Sequence, residues 1–184
     1  MYDATTVFVA PNSAFSLVGA AGAAVQVGVI YDLLGAGVGV APPNIIGNRP
    51  TGFYGVDPGI GKPKPEIEID IVTALGTANA ATVEFQIEYA PDTGSAGGYQ
   101  PGTWEVASTA GVKAVGEYPA NTQVRMDLPP APPDQQVGPP RFIRLIMQPA
   151  AGTNLNAGAV SFAGIVYART DLVNKNAPNN YQVA

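Results

Sequence analysis

The chain has 184 residues, 46% of them apolar and only 12% charged, with a net charge of −5 and neither histidine nor cysteine. That length allows one domain with a real core, and nine scattered basic residues on an acidic chain argue against nucleic acid, whose phosphates need clustered Lys and Arg. Without His or Cys, the commonest general bases, nucleophiles and transition-metal ligands are missing, and so are disulfides.

No charged residue falls between Ala4 and Tyr31. A signal peptide needs a basic start and a membrane helix needs about 20 unbroken apolar residues. Here the only earlier charge is Asp3, and Pro11, Asn12, Ser13, Ser16 and Gln26 interrupt the run. The expectation is a neutral N-terminal arm over 1–13 and no membrane partner. Thr5–Ala10 and Ala14–Val18 are weak strand candidates. Val25–Tyr31 is a stronger one, with Val25, Val27, Val29 and Tyr31 on one face. Residues 35–64 follow as a long loop with little pattern, and loops of that length are commonly functional.

From Glu66 onward the period is two. Ile67, Ile69 and Ile71 alternate with Glu66, Glu68 and Asp70; Val83, Phe85, Ile87 and Tyr89 alternate with Thr82, Glu84, Gln86 and Glu88. A helix would scatter these apolar sets around its axis, whereas a strand gathers each on one face. Thr103–Ser108 and Gly111–Val115 are weaker candidates. In Thr122–Leu128, Val124, Met126 and Leu128 share a face. In Phe142–Gln148 both faces are apolar, which predicts a strand that lies centrally or under a loop. In Ala159–Tyr167, Val160, Phe162 and Val166 are expected to share a face. Proline-rich Pro129–Pro140 cannot be a central strand, because proline donates no ladder hydrogen bond; it reads as a surface loop. Residues 173–184 read as an extended C-terminal tail. Short strands between Gly- and Pro-rich turns predict an all-β antiparallel sandwich, a jelly roll of about eight strands over 1–172.

The search for chemistry finds little. Glu66, Glu68 and Asp70, and Glu84 and Glu88, could supply the paired carboxyls of a glycosidase, but alternating acids are what the solvent side of an amphipathic strand carries. Pro91-Asp92-Thr93-Gly94-Ser95 has one carboxylate, too few for calcium, and reads as a turn. Gly55–Pro63 misses the phosphate-loop spacing and has Pro63 in place of Ser or Thr. No cofactor and no metal are expected. Trp104 reads first as a core plug. With Tyr99 and other turn aromatics it would alternatively form the stacking platform of a carbohydrate-binding module, the rival reading.

The order of features resembles the jelly-roll cement, or decoration, proteins of tailed phages, the family typified by the cement protein of a Bordetella podophage. The likeness runs through Val29-Ile30-Tyr31-Asp32-Leu33, Ile67-Glu68-Ile69-Asp70-Ile71, Val83-Glu84-Phe85-Gln86-Ile87, Arg141-Phe142-Ile143-Arg144-Leu145, Gly158-Ala159-Val160, Ala163-Gly164-Ile165-Val166 and Asp171-Leu172 ahead of Tyr181. The 35–64 loop is longer than the family pattern. The resemblance implies a non-enzymatic virion protein on the outer surface of an icosahedral capsid, bridging major capsid protein subunits and self-associating as a dimer or trimer. The contact residues expected on that reading are Tyr2, Val7, Phe8, Phe53, Tyr54 and Tyr181.

Overall fold

In the computed structural model, residues 2–11, 13–19, 22–32, 65–77, 81–93, 100–128 and 140–167 are described. They form ten strands: β1 (Tyr2–Val9), β2 (Phe15–Ser16), β3 (Val25–Asp32), β4 (Pro65–Thr77), β5 (Thr82–Pro91), β6 (Glu105–Thr109), β7 (Lys113–Ala114), β8 (Thr122–Asp127), β9 (Pro140–Pro149) and β10 (Leu155–Tyr167). One 3-10 turn, Val115–Glu117, is the single helical element among the described residues, and no described helix is long and apolar enough to cross a membrane. Prolines sit where the ladder tolerates them: Pro65 and Pro140 open strands, and Pro91 and Pro149 close them.

Two antiparallel sheets pack face to face. The first has the order β1-β10-β4-β8, with β2 beside β10; the second has the order β3-β9-β5-β6, with β7 beside β5. Leaving aside the two-residue strands β2 and β7, the pairings nest. The first strand pairs with the last (β1 with β10), the second with the second-last (β3 with β9), then β4 with β8, and β5 with β6. This is the winding of one long hairpin rolled on itself.

The core lies between the sheets. Val83, Phe85, Ile87 and Tyr89 of β5 face Ile67, Ile69 and Ile71 of β4, with Ile143, Leu145 and Met147 of β9 beside them. Each fully buried aliphatic or aromatic side chain contributes about 1.5–3 kcal/mol, so the alternation read from the sequence is also the main source of stability. β9 is central, the first of the two placements that its apolar faces allowed: Phe142 and Ile146 are buried on the side away from the core.

Two face assignments need correction, both because of bulges. In β10, Val160 pairs with Ile71 but Phe162 with Asp70, so Ser161 is an extra residue. The phase flips there: Val160, Ala163 and Ile165 join the core, while Phe162 and Val166 are buried on the other face. In β3, Val27 pairs with Leu145 and Tyr31 with Ile143, so four steps on β3 oppose two on β9. Val29 is thereby turned outward and is 54% exposed. Gly28 makes this bulge possible. It has φ +74, and a Cβ there would lie 1.9 Å from the Phe8 carbonyl oxygen of β1.

Candidate functional site

Register locates the ends of the sandwich. Tyr2 pairs with Val166, Tyr167 with Pro65, Glu66 with Asp127, Asp32 with Phe142 and Pro91 with Pro140. All these strand ends gather at one pole. The described strands flanking residues 33–64, 94–99 and 129–139 therefore end here, as do the beginning of β1 and the end of β10. The opposite pole carries tight connections. Thr153 donates its amide to Ala150 (3.0 Å), Tyr118 to Val115 (3.1 Å) and Asn121 to Ile71 (2.7 Å). The two poles are accordingly called the open pole and the turn pole.

A part-buried ion pair lies at the base of the open pole. Where β5 leaves its sheet, Asp92 bridges to Pro101, and its carboxylate accepts the Gln100 amide at 3.1 Å. The other carboxylate oxygen accepts from the Arg141 guanidinium at 2.7 Å, with the Arg141 side chain 6% exposed. Arg141 also lies over the Phe142 ring, 5.4 Å from its centroid. The carboxylate of the Asp92 turn is thus engaged by a guanidinium. No sequence signal marks this pair, because it depends on the long-range register that sets Pro91 against Pro140.

The expected contact residues are distributed unevenly. Tyr2 begins β1 at the open pole. Val7 is half-buried, and its carbonyl accepts the hydroxyl of Tyr31. Phe8 was expected on a free arm, and this is corrected: its side chain is 2% exposed, packed edge-on to Tyr31 at 5.1 Å. The reason is that residues 2–9 of the expected arm pair with β10 and bring Phe8 into the core. Phe53, Tyr54 and Tyr181, along with Tyr99 and the whole of the 35–64 loop and the 173–184 tail, lie outside the described residues.

Trp104 is not a core plug. It is half-buried on the outer face of the second sheet, where the Arg144 guanidinium sits 4.1 Å from its ring centroid and bonds Glu88 at 2.6 Å. A cation stacked there occupies one face of the ring.

The carboxylates pair outward. Arg125 bonds Glu68 at 2.8 Å and approaches Glu66 at 3.8 Å; Gln123 donates to Asp70 at 3.0 Å, and Gln86 to Glu84 at 2.7 Å. These are cross-strand and same-strand partners along sheet faces, as expected of amphipathic strands. Among the described residues no group of acids is arranged to hold a metal. At the turn pole an open groove of about 680 Å³ is lined by Gly76, Ala81, Thr82, Ala114, Ala150 and Thr153 among others, with no carboxylate, amine or guanidinium in its lining. Among the described residues two core tyrosines have perturbed titration. Burial pushes Tyr89 up to about 12, and burial with the nearby Glu117 and Glu84 charges pushes Tyr118 up to about 12.

No protein-family model matches the chain, and no curated protein sequence matches it.

Proposed function

We propose that the chain is a capsid cement protein: a virion component on the outer surface of an icosahedral phage head that binds major capsid protein subunits and holds neighbours together by contact rather than catalysis. The observation that carries this reading is the gathering of strand ends at one pole. The regions expected to touch the shell are the N-terminus, the 35–64 loop and the C-terminal tail, and the described strands beside them converge there. The nested strand pairing supports the jelly roll that the resemblance implies.

The mechanism is additive contact. Segments that order on binding lose entropy but cover wide surfaces, and a standard interface buries about 1,600 Å². Self-association into a symmetric dimer or trimer would let several weak footprints act as one. Co-sedimentation of the purified chain with expanded phage heads lacking their decoration protein tests this. Saturable binding at a fixed ratio to the capsid subunit is expected. A folded chain that stays in the supernatant with intact heads defeats the proposal, and titration of Trp104 fluorescence with polysaccharides is then the next experiment.

A further inference from the structure

We infer that the outer edge of β8 is a pairing site for a second copy of this chain. The two β8 strands run antiparallel across a two-fold axis, so that the first sheet continues from one copy into the other. The cement reading is not needed for this; the backbone and charges of the strand carry it. Four strands end the two sheets, β1 and β8 in the first and β3 and β6 in the second. An edge strand offers unpaired amides and carbonyls, and a bulge is one device that keeps a second chain from pairing there. β1, β3 and β6 each break register with their neighbour. β8 does not: its six residues pair with β4 in unbroken register, from Thr122 opposite Ile71 to Asp127 opposite Glu66. Alternate residues of such a strand turn amide and carbonyl away from the ladder. Among the described residues no backbone group bonds that side of β8.

The side chains select the occupant. Val124 and Met126 join the core, while Gln123, Arg125 and Asp127 are exposed on the outer face. Asp127 stands directly opposite Glu66, a like charge. Arg125 of its own chain bonds Glu68 and approaches Glu66, and no cation meets Asp127 among the described residues. An edge guarded by charges of one sign would repel a second copy. β8 instead carries an arginine and an aspartate on one face, separated by Met126. With the two-fold axis at Met126, Arg125 of each copy lies opposite Asp127 of the other. Arg125 then keeps Glu68 on one side and meets the second copy's carboxylate on the other, and the axis makes both pairs at once. Other surface features select no occupant. Val18, Val72, Val106 and Val112 are exposed singly on four different segments, as is ordinary for a surface, and the groove at the turn pole has no charge in its lining.

Sedimentation velocity of the purified chain, without phage heads, tests this. One short strand edge buries less than a standard interface, so a monomer–dimer equilibrium is expected at about 10–100 µM. Arg125→Glu makes both facing pairs acidic, and Asp127→Arg makes both basic. Each should weaken dimerisation about tenfold or more. An equimolar mixture of the two variants should dimerise at least as well as the unaltered chain, because both facing pairs are then of opposite charge. Circular dichroism checks that each variant is folded. Asp127→Arg also sets a cation opposite Glu66, which favours its folding, and its loss of dimer decides the matter even if Arg125→Glu does not fold. A chain still monomeric at roughly 1 mM, single variants that dimerise like the unaltered chain, or a mixture of folded variants that stays monomeric overturns the proposal. None of these results bears on binding to heads, so the cement reading is judged separately by co-sedimentation.

Discussion

The hydroxyl of Tyr31, on the edge strand of one sheet, donates to the carbonyl of Val7, on the edge strand of the other. Beside this bond Phe8 meets the Tyr31 ring edge-on, and Gly28 brings the β3 backbone against the Phe8 carbonyl. The two sheets are thus stitched along one side by a tyrosine, a phenylalanine and a glycine.

The seam can be cut in two ways. Tyr31→Phe removes the donor and should lower unfolding free energy by about 1 kcal/mol. Gly28→Ala should cost at least about 2 kcal/mol, since it adds positive-φ strain to a backbone clash. Urea unfolding measures both. Equal losses would mean that the close approach of β1 and β3 carries no strain.

The two kinds of ion pair should behave differently. Asp92→Asn removes the carboxylate that the buried Arg141 bonds at 2.7 Å and should cost about 1.5–3 kcal/mol, the worth of a hydrogen bond to a charged group. Arg125→Ala removes a pair whose arginine is 54% exposed and should change stability by less than about 0.5 kcal/mol. Thermal unfolding of the two variants side by side checks the contrast.

Tyr118 packs edge-on to Phe85, and its hydroxyl is buried with no hydrogen-bond partner among the described residues. Burying an unpaired hydroxyl costs about 1–3 kcal/mol. Tyr118→Phe keeps the ring and should leave the protein equally stable or more stable, by up to about 1 kcal/mol. A clear loss in chemical denaturation would show that the hydroxyl has a partner after all.

Alkaline pH should unfold the protein through Tyr89 and Tyr118. Both have folded pKa values of about 12 against an ordinary 10.0. The folded state therefore holds these protons more tightly than the unfolded chain does. Their neutral-state stability is fully present below pH 10 and is lost as pH rises toward 12, by about 3 kcal/mol for each tyrosine at roughly 1.4 kcal/mol per pKa unit. Absorbance near 295 nm should show these two phenols ionising only together with the loss of sheet circular dichroism. Tyr118→Phe should shift that transition to higher pH.

Where burial follows a strict period of two, the sequence was sufficient. The run from Thr82 to Tyr89 reads correctly because its apolar and polar residues separate onto two faces without interruption. That β9 lies centrally or under a loop was legible from Phe142 and Ile146, apolar residues on the side opposite Ile143 and Leu145. Bulges were not legible. Ser161 shifts the phase of β10 without any change in composition, and only the glycine at 28 marked the β3 irregularity. Phe8 could not be placed because its burial depends on β10, at the other end of the chain. The same limit hid Asp92–Arg141 and Arg144–Trp104, whose members meet only through the β5–β9 register.

The nesting of first strand with last also governs when the molecule can fold. During synthesis β1 leaves the ribosome long before β10, its ladder partner, exists. β3 and β4 likewise wait for β9 and β8. Among the described residues the hairpin β5–β6 is the one long-strand pairing whose members are close in sequence, so it is the first of these ladders that the emerging chain contains in full. Folds dominated by such distant pairings form in milliseconds to seconds. The edge of β1 stays uncovered until β10 has been made, and an uncovered strand edge is a template for wrong pairing.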